Sequence, residues 1–268
     1  MYLTHHNLKL KPFEESPDPR FFWISEKHKE AFASFKHGIQ ENKAFLLLNG
    51  DIGTGKSALI NYFLLNNDID AIVATIPDPD LSISDFFRLL SKEIKIDTNL
   101  NTNGDFLIKF EHFLQNVYSE GKKVLLVIDE AQRLNQKLLE QIYLLSNIER
   151  EEVKLIKFFF VGQNEILDLI KEGKNEALRQ RHTVHYAIEP LTESETQEYI
   201  KYRLKVAGSK TEIFNFEAIH EIFSFSKGYP RLINIICDRA LLTSYVSEAN
   251  KIGGKIVKQC ADDLKILV

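Results

Sequence analysis

Short apolar runs alternate with longer amphipathic stretches through the first two-thirds of the chain. The runs Ala44–Asn49, Ala71–Ile76, Val124–Ile128, Leu155–Gly162 and Val184–Ile188 are strand-sized and mostly continuous in hydrophobic residues. Strands buried on both faces carry that pattern, whereas strands with one wet face alternate. Between them, Lys56–Leu65, residues from about 84 to 95, 105 to 118 and 136 to 148, and Glu165–Lys171 repeat apolar positions at helical spacing. An α/β fold follows: a parallel sheet flanked by helices. Ahead of it runs a proline-punctuated arm, with Lys11-Pro12-Phe13 and Pro17 to Trp23, and Ser25 is placed to cap a helix reaching about Gly38. After Pro190 only helical periodicity remains. It opens on the capping-box-like Thr192-Glu193-Ser194-Glu195 and breaks at Gly208, Gly228-Tyr229-Pro230 and Gly253-Gly254. The expected division is an arm plus α/β domain over 1–190 and a small all-helical domain over 191–268.

The segment from Gly50 to Ser57, GDIGTGKS, fits G-x-x-x-x-G-K-[ST], the phosphate-binding loop of nucleoside triphosphatases. It lies between a predicted strand and a predicted helix, the context the motif requires. Gly50, Gly53 and Gly55 let the backbone curl so that N–H groups converge on phosphate oxygens, with Asp51, Ile52, Thr54 and Ala58 completing the cradle. The helix N-terminus adds partial positive charge. Lys56 is expected on the β- and γ-phosphates and Ser57 on Mg²⁺.

A buried strand, Val124 to Ile128, delivers Asp129-Glu130 at its carboxyl end, where ligands sit in open α/β sheets. Asp129 is expected to hold Mg²⁺, through water or together with Ser57, and Glu130 to orient and deprotonate the attacking water. A second carboxylate favours hydrolysis over transfer to a substrate hydroxyl. Gln163, at the tip of the next strand, is placed to sense the γ-phosphate. Arg179 or Arg181 would supply a guanidinium to a neighbouring subunit's γ-phosphate, and Arg231 one to its own nucleotide.

Composition narrows the class further. With 268 residues and 44% hydrophobic content, the chain can bury a sizeable core. A net charge of −4 gives no global basic field of the kind that attracts nucleic acid. Cys237 and Cys260 lack metal spacing and are expected as core thiols in a reducing compartment. The eight histidines show no metal spacing either, and His5-His6, His182 and His185 are expected at the surface. No apolar stretch approaches the roughly 18 residues of a membrane span, and the polar, basic N-terminus lacks a signal-peptide core. A soluble, cytoplasmic chain is expected.

Phosphate loop, Asp-Glu strand, polar sensor, arginine and a helical domain with Gly228-Tyr229-Pro230-Arg231 follow the order of the AAA+ ATPases. Within them the chain resembles the general secretion pathway protein A family, which has type IV pilus relatives. The resemblance runs nearly end to end. It is carried by Lys11-Pro12-Phe13, Pro17 to Phe21, Gly50 to Ser57, Asp129-Glu130-Ala131-Gln132, Leu145 to Glu149, Val161 to Glu165, Gln180-Arg181, Pro190-Leu191-Thr192, Arg203-Leu204 and Gly228 to Arg231 with Ile233-Asn234. That family usually has threonines at Ser57 and Ala58, and Ser57 keeps the hydroxyl for Mg²⁺.

The resemblance implies ATP and Mg²⁺ as cofactors, hydrolysis in a homo-oligomeric ring or filament with an arginine finger in trans, and adenine held by the large domain, the helical lid and the arm. Its secretion member couples ATPase work to secretin assembly and continues into a membrane span and a periplasmic part. This chain, to Val268, holds neither. It is expected to be the cytoplasmic half of an inner-membrane protein or a soluble relative in a pilus or exopolysaccharide system. Envelope secretion or pilus assembly proteins are the expected partners. The alternative is a DNA-associated regulator of the transposition AAA+ type, and a third reading is a nucleotide-gated interaction module without hydrolysis, which Glu130 and Gln163 weigh against.

Overall fold

A computed structural model describes residues 2–14, 18–66, 68–96, 102–171 and 184–264. The chain forms two compact units. The first comprises Met1–Glu26, Asp51–Tyr62 and Glu189–Val268; the second comprises Lys27–Gly50 and Phe63–Ile188. The strands are β1 (Phe45–Asn49), β2 (Ala71–Ile76), β3 (Lys123–Ile128), β4 (Glu149–Arg150), β5 (Val153–Lys154), β6 (Ile156–Gly162) and β7 (Val184–Ala187). The helices are α1 (Tyr2–His5), α2 (Glu26–Gln40), α3 (Lys56–Asn66), α4 (Ile83–Glu93), α5 (Asn103–Ser119), α6 (Gln136–Leu145), α7 (Ile166–Lys171), α8 (Glu193–Val206), α9 (Phe216–Ser226), α10 (Pro230–Val246) and α11 (Gly254–Leu264).

The second unit holds a five-stranded sheet in the order β2-β3-β6-β1-β7, and every pairing in it is parallel. Successive residues of β6 serve opposite faces, as a strand requires. Phe158 and Phe160 stack on Phe45, at 5.7 and 5.9 Å between centroids, in the core shared with Phe87 and Phe106 from α4 and α5. Phe159 turns the other way and meets Phe35 of α2 at 4.6 Å. Each such buried ring contributes about 1.5–3 kcal/mol. Gly38 lets α2 approach closely, because a Cβ there would lie 2.5 Å from Val184 Cγ2 and 2.9 Å from Leu46 Cδ2. Ser82, Thr102 and Asn135 cap α4, α5 and α6, each such cap stabilising its helix by about 1 kcal/mol. The helix anticipated to about 148 stops at Leu145, and an antiparallel β4–β5 hairpin follows, with Glu151 and Glu152 at positive φ in its turn.

In the first unit α8 to α11 bury Ile200, Leu204, Ile219, Ile222, Ile233, Ile236, Cys237, Ala240, Val257 and Cys260. Thr192 and Glu195 form the capping box read from the sequence: Glu195 N donates to Thr192 Oγ1 at 3.3 Å, and Thr192 N donates to Glu195 Oε2 at 2.8 Å. The arm belongs to this core through Leu8, Phe13 and Phe21. Buried Arg203 donates to the carbonyls of Pro12 and Glu14 and to Tyr199 Oη, and Tyr199 donates to Asn234 Oδ1 at 2.9 Å. The expectation of a surface His5-His6 pair is corrected at His6. That residue is buried, with Nε2 2.7 Å from Ser244 Oγ, because α1 docks on α10. Burial, and His5 beside it, lower its pKa. Among the described residues no helix is long and apolar enough to cross a membrane.

Candidate functional site

In the first unit the loop after Gly50 turns through Gly53 at φ +81° and Gly55 at φ +95°, and enters α3 at Lys56. These are left-handed conformations that glycine adopts without strain. A Cβ on Gly55 would meet nothing within 4 Å, so a bound group can approach the backbone there. The Asp51 carbonyl gathers the loop's donors: Lys56 Nζ and Thr54 Oγ1 both reach it at 2.8 Å. Thr54 and Lys56 are buried, while Ser57 and Ala58 are exposed.

The Gly228-Tyr229-Pro230-Arg231 segment abuts the same loop within this unit. Tyr229 Oη donates to Asp51 Oδ2 at 2.8 Å, and Arg231 N donates to Gly53 O at 3.3 Å. Pro230 opens α10, where its missing N–H costs nothing. A Cβ on Gly53 would sit 3.1 Å from Arg231 Cβ. Sequence reasoning singled out Arg231 but assigned Tyr229 no role. Its place in the Gly228-Tyr229-Pro230-Arg231 segment was the signal that the sequence held.

In the second unit polar groups collect at the carboxyl ends of the parallel strands, where α/β sheets bind ligands. Asp129 follows β3, and its N–H donates to Ile76 O at 2.9 Å, fixing it beside the end of β2. Glu130 adopts the left-handed conformation, φ +49° and ψ +37°, and its N–H donates to Asp129 Oδ1 at 2.9 Å. A 3₁₀ turn, Ala131–Arg133, then brings Gln132 back over Glu130. Gln132 Nε2 donates to Glu130 Oε2 at 2.6 Å, and Gln132 Oε1 accepts from Gln163 N at 2.9 Å. Asn49, buried at the end of β1, donates to Asn164 Oδ1 at 2.6 Å and accepts from His185 Nε2 at 2.6 Å. Burial lowers the His185 pKa.

The second unit thus brings together Asp129, Glu130 and Gln163, and it also contains Gly50. The first unit contains Asp51, Gly53, Thr54, Lys56 and Arg231, and in it Arg231 meets Gly53. Arg179 and Arg181 lie outside the described residues.

Residues 39–170 match the AAA domain family. General secretion pathway protein A of Aeromonas hydrophila is 34% identical over 254 residues, which cover 94% of this chain. The chain spans 46% of that relative's length. An uncharacterized HTH-type transcriptional regulator of Methanocaldococcus jannaschii is 26% identical over 320 residues, covering 99% of this chain and 75% of the relative. Among solved structures, the Aeropyrum pernix ORC2 protein superposes with a TM-score of 0.68 at 13% identity, covering 94% of this chain and 71% of that one. At that identity the likeness concerns the fold.

Proposed function

We propose that this chain, which belongs to the AAA+ P-loop ATPases, binds ATP with Mg²⁺ and hydrolyses it in an oligomer to drive assembly of an envelope secretion or type IV pilus machine. The observation that carries the nucleotide assignment is the loop itself. Two left-handed glycines lead into a helix that starts at Lys56, with open space over Gly55. Backbone N–H groups, one cation and a helix N-terminus form a site for phosphate oxygens.

Gly50 to Ala58 hold the phosphates in this reading. Lys56 exchanges the Asp51 carbonyl for β- and γ-phosphate oxygens. The Ser57 hydroxyl and Asp129 hold Mg²⁺, which neutralises charge that builds on the phosphates when it is bound. Glu130 orients the attacking water and takes its proton. Gln163 contacts the γ-phosphate. Arg231 offsets negative charge on the chain's own nucleotide, and Arg179 or Arg181 does so on a neighbour's. The functional division is the α/β part with its arm, 1–190, and the helical lid, 191–268.

The secretion or pilus role is supported by the Aeromonas relative, matched over nearly all of this chain. A cytoplasmic location accompanies that role. The second reading, a DNA-associated regulator, is favoured only by the name of the archaeal relative. Nucleotide binding and phosphate release by two variants test the assignment. Lys56→Ala should lose nucleotide binding, and Glu130→Gln should bind ATP without turning it over. Retained affinity in the first, or normal turnover in the second, removes the corresponding role.

A further inference from the structure

We infer that Gln132 is a positioning residue for hydrolysis, tying the carboxylate of Glu130 to the backbone that carries Gln163. The inference deepens the reading of Glu130 as the water-activating group and rests on it. One side-chain amide spans the two positions: Nε2 donates to Glu130 Oε2 at 2.6 Å while Oε1 accepts from Gln163 N at 2.9 Å. An amide is suited to this because it carries a donor and an acceptor on one rigid plane. A hydrogen bond to a carboxylate is also among the stronger kinds.

The backbone is shaped around the same contact. Glu130 is left-handed, a conformation that costs a non-glycine residue about 1–3 kcal/mol and persists only where its surroundings impose it. That turn folds Gln132 back over the carboxylate. On the other side, a Cβ on Gly162 would lie 2.8 Å from Gln132 Oε1, 3.2 Å from Gln132 N and 3.3 Å from Ala131 N. A side chain at the end of β6 would therefore push on the Gln132 amide and crowd the backbone of the turn. A displacement of Gln163 by a γ-phosphate would pass through this amide to Glu130 within a single hydrogen-bonded chain.

The test uses two replacements of similar size. Gln132→Met fills the volume and provides neither bond. Gln132→Glu keeps an acceptor for Gln163 N and sets a second carboxylate against Glu130. Steady-state turnover, nucleotide affinity and Tm are measured for both, beside Glu130→Gln. Both variants are expected to lose kcat by between about 10- and 100-fold, the range that misplacing a reacting group produces. KM and nucleotide Kd should stay near wild type, with Tm falling by no more than the few degrees that the lost hydrogen bonds cost, an outcome that a merely structural role would not give. Turnover within twofold of wild type in either variant, with Glu130→Gln inactive, overturns the inference and leaves the reading of Glu130 standing. A loss carried by KM or affinity, or by unfolding at the assay temperature, also overturns it. Normal turnover in Glu130→Gln overturns both.

Discussion

Tyr229 donates its hydroxyl to Asp51 Oδ2 at 2.8 Å, joining the turn that opens α10 to the second residue of the phosphate loop. The bond to Asp51 raises the Tyr229 pKa, so the hydroxyl remains a donor at neutral pH. Beside it, Arg231 N donates to Gly53 O. The helical region thus grips the loop through both a side chain and the backbone. Tyr229→Phe removes the first and keeps the ring. A net hydrogen bond is worth about 1 kcal/mol, so nucleotide affinity should fall by up to about tenfold. Arg231→Ala should reduce turnover by a larger factor than affinity, because its guanidinium is assigned to the transition state. Titration calorimetry and phosphate release separate the two effects.

Gly228 holds that turn in place. It sits at φ +80°, and a Cβ on it would lie 1.8 Å from the carbonyl oxygen of Leu191, whose N–H donates to Gly228 O at 2.9 Å. Backbone cannot yield as the end of a side chain can. Gly228→Ala should therefore destabilise the first unit by at least about 3 kcal/mol, combining conformational strain with the clash. A thermal melt should show a drop of roughly 2–4 °C for each kcal/mol.

His6 makes stability depend on pH. Burial, then His5, lower its pKa in the folded chain. Above the unfolded value of about 6.5 the ring is neutral in both states, and its contribution is fully present. As pH falls through that value the unfolded chain takes up the proton first, so stability declines toward the lower folded pKa. His6→Gln should lose less Tm than wild type between pH 7 and pH 5.5.

Much of the second unit could be read from hydrophobicity. The continuous apolar runs at β1, β3 and β6 mark central strands, and in the first unit the Thr192–Glu195 capping box stands where the sequence places it. What escaped depends on tertiary contacts. Glu149 to Lys154 is too charged to read as strands, and its hairpin needs two glutamates in left-handed conformations. His6 is polar, and its burial follows from docking of α1 on α10. At the site, Asp129, Glu130 and the glycine loop show in their spacing. Gln132 does not, because its bridge to Gln163 exists only once Glu130 turns left-handed and β6 lies alongside.

The arginine finger is open to a direct comparison. Arg181→Ala should leave nucleotide binding intact and remove the part of turnover that rises with protein concentration. Arg179→Ala, assayed beside it, decides which guanidinium acts. Loss of a charge-stabilising group of this kind costs on the order of 10³-fold or more in rate.

In the proposed function, ATP hydrolysis is completed between subunits. It is tested most directly by ATP turnover measured against protein concentration, with particle mass followed in parallel, with and without DNA. Turnover per chain should rise steeply with concentration as larger particles form, without DNA. Turnover per chain that stays flat across concentration, or that appears only when DNA is added, would contradict it.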